Sequence, residues 1–507
     1  VTTVNFEDIA AAASTQVVNF DKALTAATLG VNKVIDNSGA TPAAIGVTVD
    51  GTALKTLTVD ASGKASNVNL AQTAATIETL NITGKADLTL DAASTLTAVK
   101  TIDGSKAEGK LVLSKLATMT SVKTGSGNDT VTVAAAASGE TIDLGAGNDK
   151  LVKSGAATVA TSTTTVIDGG AGIDSLDAAL VKVGNAGVFA NFETLSLTTA
   201  TAVTGLDLDL LTKSTITSIA KDNDAAHTLL NVKKSQSLTI NTSVSSATIL
   251  TFKASEVAGT ADAYTINFDK KTTGATFDAG IVTINGIEAV TVNSLGKTSA
   301  ATDTNKITLQ DTDAKSLVIT GDKNIELVLG TAGAKFGTNS AAAGDGKGVA
   351  TIDASASTAG IKITSLANTG IAENGLTIKG GAGVDSITTG ATAKALTIET
   401  GAGKDTIDLS LATTVTEKII VNAGAGDDTI VTTLAGGTLT GGAGKDAFDV
   451  SAATVALGAL TEATGVVKVT ITDLTAGDKI IFADKGTEVF NKIKLDVSGD
   501  RKSTRLN

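Results

Sequence analysis

The chain lacks almost every residue on which disulfide, thiolate and imidazole chemistry depends. Its 507 residues include no Cys, one His and one Pro, which excludes disulfide scaffolds, thiolate metal sites and Cys nucleophiles. Aromatic residues make up only 2% of the chain, so any core is thin and aliphatic. No apolar run approaches the roughly 18 residues that span a bilayer. A net charge of −12 argues against a nucleic-acid partner, which would favour a basic surface.

Both ends of the chain suggest a piece of a longer gene. The sequence opens at Val1 without an initiator Met or a signal peptide. All of its arginine is Arg501 and Arg505, and the last residues, DRKSTRLN, resemble the translation of a sequencing-library adapter. We therefore treat 501–507 as an artefact and exclude it from the fold prediction.

Short runs in which Thr or Ser alternates with Val, Ile or Leu recur along the chain. Examples are Leu57–Val59, Val131–Val133 and Val282–Ile284, each bounded by Gly, Asp or Asn, and this alternation is typical of strands. Helical periodicity is scarce, and three short segments are the helix candidates: Glu7–Ser14, Asp21–Thr28 and Leu206–Thr212. The sequence predicts an all-β chain.

Glycine and aspartate form seven copies of the pattern G-x-G-x-D-x-apolar, in two groups. We call these groups the first and the second ladder. The first ladder comprises Gly125, Gly127, Asp129, Gly145, Gly147, Asp149, Gly170, Gly172 and Asp174. The second ladder comprises Gly381, Gly383, Asp385, Gly401, Gly403, Asp405, Gly424, Gly426, Asp428, Gly442, Gly444 and Asp446.

The ladder pattern has the chemistry of a calcium-binding turn. Gly allows backbone angles that other residues avoid, so that a tight turn can aim its carbonyl groups inward. Asp adds a hard anionic oxygen, and Ca²⁺ takes six to eight oxygen ligands at about 2.3–2.6 Å. The nonapeptide G-G-x-G-x-D-x-U-x is a known calcium-binding β-helix repeat. Because a site needs two stacked turns, we expect about two ions in the first ladder and about three in the second.

The ladders recur at a long interval, which indicates a duplicated module. Gly125 and Gly381 lie 256 residues apart, as do Gly145 and Gly401. We predict parallel β-roll or β-solenoid ladders interspersed with β-sandwich-like segments. The predicted divisions are a β-rich segment over 1–120, the first calcium β-roll over 121–180, a β-rich segment over 181–375, the second calcium β-roll over 376–450, and a C-terminal β segment over 451–500.

These repeats resemble RTX proteins, and the Thr/Ala/Val-rich segments around them are similar to RTX-type surface-layer proteins of Gram-negative bacteria. Phrases such as Phe192-Glu-Thr-Leu195 recur, and Ile471–Ile481 resembles the segment that commonly follows the last ladder in that family. The resemblance implies a non-enzymatic, calcium-binding subunit that is secreted by type I machinery through a C-terminal signal, lies at the cell surface, and self-associates into a lattice. It also implies that an N-terminal region anchors the subunit to lipopolysaccharide or another surface glycan. We expect this N-terminal region and the C-terminal secretion signal to be missing from this sequence.

Two alternatives stay open at this point. The chain could be an extender region of an RTX adhesin or biofilm matrix protein, or the repeat region of an RTX enzyme whose catalytic domain precedes Val1. Catalytic residues are not predicted within the chain: His227 has no G-x-S-x-G or H-E-x-x-H motif beside it and is expected in a surface loop. Asp222–Asp224 and Asp311–Asp313 lack the Gly and terminal Glu of an EF-hand and are expected to be solvated turns.

Overall fold

The computed structural model describes residues 2–10, 15–37, 42–90, 96–115, 117–155, 158–160, 164–198, 202–269, 276–296, 303–331, 336–337, 348–364, 369, 371, 375–390, 394–412, 418–432, 437–451, 469–481 and 496–497. The expected artefact at 501–507 lies outside these residues, as does most of the predicted C-terminal segment. The chain divides into two compact units, Val1–Asp222 and Asn223–Asn507.

The strands, in chain order, are β1 Thr3–Ile9, β2 Gln16–Asn19, β3 Ala26–Val34, β4 Ile45–Asp50, β5 Thr56–Ala61, β6 Ser66–Gln72, β7 Thr79–Gly84, β8 Leu88–Leu90, β9 Thr101–Ala107, β10 Leu111–Lys115, β11 Ser121–Lys123, β12 Thr130–Val133, β13 Thr141–Asp143, β14 Lys150–Lys153, β15 Val166–Asp168, β16 Ser175–Asp177, β17 Phe189–Ala190, β18 Thr194–Leu197, β19 Thr204–Asp207, β20 Ser218–Lys221, β21 His227–Val232, β22 Ser237–Ile240, β23 Thr248–Phe252, β24 Ala263–Phe268, β25 Thr276–Thr283, β26 Ala289–Ser294, β27 Thr304–Gln310, β28 Ser316–Gly321, β29 Asn324–Leu329, β30 Thr351–Ser357, β31 Ile361–Ile363, β32 Leu376–Lys379, β33 Ser386–Thr388, β34 Leu396–Glu399, β35 Thr406–Asp408, β36 Ile419–Ala425, β37 Thr429–Val431, β38 Gly437–Ala443, β39 Ala447–Asp449, β40 Val469–Ile471, β41 Lys479–Ile481 and β42 Asp496–Val497. Three 3₁₀ turns complete the described elements: Ala178–Leu180, Ala186–Val188 and Leu208–Leu210.

Strands pair in parallel with the strand two places further along the chain. In the first unit, odd strands β1 to β17 form one sheet, and even strands β2 to β20 form a second. In the second unit, β21 to β41 and β22 to β42 pair in the same way. One odd strand and one even strand therefore make one coil of a solenoid, which confirms the predicted all-β fold with parallel ladders. The segments expected to be sandwich-like consist of parallel coils as well.

Rows of aliphatic side chains hold the coils together. Parallel pairing without register shift stacks equivalent residues, so that Tyr264, Val290 and Leu317 lie one above another and are buried. In both ladders, the apolar residue two places after each aspartate is buried: Val131, Leu151, Leu176, Ile387, Ile407, Ile430 and Phe448. Because the row continues from coil to coil, each coil buries its apolar face only against its neighbours.

The helix candidates are wrong wherever the structure describes them. Strand β1 includes Glu7, strand β3 begins at Ala26, and Leu206 lies in β19. Within the last candidate, Leu206–Thr212, the only helical residues are those of the 3₁₀ turn Leu208–Leu210. Asp207 caps this turn by accepting a hydrogen bond from the Asp209 N–H. Segments this short are weak helix formers in isolation, and pairing with the neighbouring coil determines their conformation instead.

Candidate metal centre

The glycine–aspartate turns connect the two sheets and stack on one another within each ladder. In the first ladder, the turns follow β11, β13 and β15 and precede β12, β14 and β16. In the second ladder, the first two turns follow β32 and β34, and the last two begin within β36 and β38. Pairing of these strands places the three turns of the first ladder, and the four turns of the second, in line. The two ladders lie in different units.

Glycine is required where the stacked turns come closest. Gly147 and Gly172 have φ angles of 130° and 144°, a region that residues with a side chain rarely adopt. A Cβ atom at Gly172 would lie 1.7 Å from the carbonyl oxygen of Gly147, and one at Gly426 would lie 1.5 Å from that of Gly403. The backbone of one turn therefore lies directly against the backbone of the next, with carbonyl oxygens at the contact.

The ladder aspartates form two buried rows along these turns. In the first ladder, the Asp129 N–H donates to Asp149 Oδ1 at 2.6 Å, and the Asp149 N–H donates to Asp174 Oδ1 at 2.8 Å. The second ladder repeats the arrangement over Asp385, Asp405, Asp428 and Asp446, with distances of 2.8, 2.7 and 3.0 Å. Each of the seven side chains is at most 2% exposed. One carboxylate oxygen of each aspartate thus ties its turn to the preceding coil.

Five of the second carboxylate oxygens are buried and have no hydrogen-bond partner among the described residues. They are Oδ2 of Asp149, Asp174, Asp405, Asp428 and Asp446, and we call them the open oxygens. Buried polar atoms are nearly always paired in folded proteins, and an unpaired one requires an explanation. A row of such acceptor atoms on stacked turns is an arrangement that a cation could occupy.

Burial makes these carboxylates difficult to ionise. Desolvation raises the pKa of Asp149 to about 7, and the neighbouring charges of Asp129 and Asp174 add to the shift. It also raises the pKa of Asp174 to about 6, where Glu193 contributes, and that of Asp428 to about 6. Without a compensating positive charge, the ionised rows are therefore unfavourable.

The donor set fits a hard cation. In the described part of the chain, no group of three or more Asp, Glu or His side chains converges on one point. A cation in either ladder would therefore take most of its ligands from backbone carbonyl groups. The glycine turns present carbonyl oxygens where they stack, and carboxylate and carbonyl oxygens are the ligands that Ca²⁺ prefers.

The first aspartate of each ladder differs from the others. Asp129 Oδ2 accepts from its own turn's Gly125 N–H at 3.1 Å, and Oδ1 accepts from the Leu111 N–H at 2.6 Å. Asp385 repeats this with Gly381 at 3.0 Å and Ile361 at 2.7 Å. In these two predicted site residues, each carboxylate oxygen therefore accepts a hydrogen bond from a backbone amide.

Each ladder ends on an acidic residue that we did not predict as part of the site. The Asp174 N–H donates to Glu193 Oε2 at 2.8 Å, and the Asp446 N–H donates to Asp478 Oδ1 at 2.9 Å. Asp473 accepts from the amides of the glycine pair at 441–442, at 3.0 and 2.6 Å. The recurrent Phe192-Glu-Thr-Leu195 phrase and the segment Ile471–Ile481 were the signals that could have identified these closing acids.

Two side chains outside the ladders are more buried than expected. His227 begins β21, is 1% exposed, and lies 3.2 Å from Asn223 Oδ1 through Nε2; the prediction of a surface loop is therefore wrong. Asp311 is fully buried, and burial raises its pKa to about 8, whereas Asp224 is exposed as predicted. Both buried residues occupy inward positions of a coil.

No protein-family model matches the chain, and no curated protein matches it significantly. None of the helices in the described residues has the length and apolar character needed to cross a membrane.

Proposed function

We propose that the chain binds calcium through its two ladders and serves as a secreted structural subunit of a bacterial surface layer. The open oxygens carry the calcium part of this proposal, because they are buried carboxylate oxygens without a hydrogen-bond partner among the described residues and belong to stacked glycine turns. Calcium bound there would supply the positive charge that the buried rows require.

Each residue type in the ladder has a separate role in this proposal. The aspartate contributes one oxygen to the preceding coil and leaves the other for the ion, as Asp149 does with the Asp129 N–H. The glycines bring carbonyl oxygens of neighbouring turns close together, as at Gly147 and Gly172. One ion for each open oxygen gives two ions in the first ladder and three in the second.

Composition supports the structural role. The chain is rich in small residues and has no Cys, which suits a protein that is made in many copies and exported before it folds. Its net charge of −12 gives an acidic surface that divalent cations can bridge between copies. We propose that calcium both stabilises the coils and promotes self-association into a lattice.

Calorimetric titration with calcium tests the binding proposal. The wild-type chain is expected to bind five ions, and Asp428→Asn to lose at least one of the three in its ladder, because Asp428 carries an open oxygen. Asp322→Asn is the matched control, since Asp322 is exposed and pairs only with Lys323 among the described residues. Equal binding by all three proteins would refute the assignment of the ladders.

Negative-stain electron microscopy tests the surface-layer proposal. We expect ordered two-dimensional sheets at millimolar calcium that disperse when a chelator is added. Isolated, elongated particles that fold only with calcium would retain the calcium sites but assign the chain to an adhesin. Sheets that persist without calcium would show that the ladders do not control assembly.

A further inference from the structure

The first turn of each ladder has a different backbone from the turns that follow it. Gly125 and Gly127 lie outside the positive-φ region, whereas Gly145 and Gly147 have φ angles of 84° and 130°. The second ladder shows the same change, with Gly381 and Gly383 unlike all the later glycines of the pattern. We call the first turn of each ladder the opening turn. In both ladders, its two glycines lie outside the positive-φ region, whereas those of the later turns lie within it.

This backbone difference determines where the first glycine amide of the turn is directed. In the opening turn, the Gly125 N–H donates to Asp129 Oδ2 within the same turn. In the next turn, the Gly145 N–H donates instead to Asp143 Oδ1 at 3.2 Å. Asp149 Oδ2, the equivalent of Asp129 Oδ2, is then an open oxygen.

In the first ladder, the residue two positions before the first glycine accounts for this change of acceptor. In both opening turns this residue is lysine, Lys123 and Lys379, and an ammonium group can only donate hydrogen bonds. In the later turns the same position carries a side chain with an acceptor oxygen: Asp143, Asp168, Glu399, Asn422 and Thr440. In the last turn of the second ladder, however, the Gly442 N–H donates to Asp473 Oδ2 at 2.6 Å. In the third turn of the first ladder, Asp168 Oδ1 accepts from the Gly170 N–H at 3.0 Å. Because lysine offers no acceptor, the first glycine amide of the opening turn donates to the aspartate of the same turn.

We infer that Asp129 and Asp385 close the opening turns and are not cation ligands, so that cation sites begin at the second turn of each ladder. Each opening aspartate accepts two backbone hydrogen bonds that join the turn to the preceding coil and to itself. The opening turn is therefore complete without an ion and presents a fixed surface on which the next turn stacks. This inference rests on the proposed calcium function.

Replacement by asparagine separates the two roles because asparagine has only one acceptor oxygen. In Asp129→Asn, one of the two backbone amides loses its partner, so the variant is expected to unfold at lower urea concentration both with calcium and with chelator. In Asp149→Asn, the hydrogen bond from the Asp129 N–H can persist while the buried charge is removed. That variant is expected to be as stable as wild type or more stable in chelator, and less stable in calcium.

The number of ions released on unfolding gives the decisive readout. It is obtained from the dependence of the unfolding free energy on free calcium, because binding to the folded state alone stabilises it by mass action. We expect Asp129→Asn and Asp385→Asn to release as many ions as wild type, and Asp149→Asn and Asp405→Asn to release at least one fewer. Loss of a single ion in Asp129→Asn or Asp385→Asn, with the ladder still protected from protease, would overturn the inference.

Two further outcomes remain interpretable. If Asp129→Asn loses both ions of the first ladder together with its protease protection, while the second ladder keeps three, the turn-closing role is supported. If the wild-type chain releases no ions, the proposed calcium function fails, and this result is distinct from failure of the inference.

Discussion

Replacement of Gly172 by alanine tests whether the ladder turns must touch. Gly172 has a φ angle of 144°, and its added Cβ would lie 1.7 Å from the Gly147 carbonyl oxygen. Gly205, in the same unit, is the matched control, because it also has a positive φ, 69°, but no atom lies within 4 Å of its added Cβ. Both variants carry backbone strain, and only one carries the clash.

The structure gives different magnitudes for the two variants. Backbone strain alone costs about 1–2 kcal/mol for Gly205→Ala and about 1–3 kcal/mol for Gly172→Ala. Relief of the clash moves the turns apart and breaks hydrogen bonds that join them: Asp149 N to Asp174 Oδ1 at 2.8 Å, Gly147 N to Ala171 O at 2.9 Å, and Ile173 N to Asn148 Oδ1 at 2.9 Å. At about 1 kcal/mol for each bond, Gly172→Ala should lose roughly 4–6 kcal/mol.

Urea unfolding in saturating calcium, together with calorimetric counting of bound ions, measures both effects. We expect a large loss of stability and of at least one ion for Gly172→Ala, and a small loss of stability with no lost ion for Gly205→Ala. If the two variants were equally stable and Gly172→Ala bound every ion, close contact between turns would not be needed for the site.

Three further predictions follow from buried charges and coil packing. In chelator, stability should fall as the pH rises from about 4 to 7, because burial raises the pKa of Asp149 to about 7 and those of Asp174 and Asp428 to about 6, so that the folded state holds protons that the unfolded state releases. In calcium, the trend should reverse, because the ion needs ionised carboxylates. Urea midpoints across this range test both signs. Lys115→Met should cost about 3–5 kcal/mol by leaving Glu140 without the ammonium group 2.7 Å away, and adding Glu140→Gln should recover most of this loss in urea unfolding. Chelation should accelerate amide hydrogen exchange in the ladder turns but not in β24–β28, where protection in calcium and in chelator should be the same.

The sequence could predict the coil and the ladder because both follow from local rules that repeat. Alternation of Thr with Val, Leu or Ile places Val131 and Leu151 inside, and parallel stacking makes this position recur in the next coil. The G-x-G-x-D spacing likewise places Asp149 and Asp174 one coil apart on the same edge. A prediction based on period needs no knowledge of distant contacts when each element contacts only its neighbours.

The rest depended on contacts between coils that the repeat pattern does not encode. Asp129 and Asp149 stand in nearly identical turns, Gly-Ser-Gly-Asn-Asp and Gly-Ala-Gly-Asn-Asp, yet only Asp149 has an open oxygen. The closing acid Glu193 comes from a turn without the glycine pattern. The sequence pattern predicts a surface loop at His227, but this residue begins a strand and is buried. In each case, the neighbouring coil determines the role of the side chain.

Calcium dependence should therefore be confined to the ladders, although they belong to continuous solenoids. Coils such as β24 and β26 are joined by backbone pairing and by a buried row that includes Ile266 and Val292, and such apolar burial does not depend on a cation. The ladder coils have the same apolar row, yet they also bury anionic oxygens at the turn, and ionisation of these oxygens opposes stacking. The apolar row keeps the coil in register, while the charge state of the turn determines whether it closes. A cation that neutralises the turn therefore acts on a coil whose strands are already positioned.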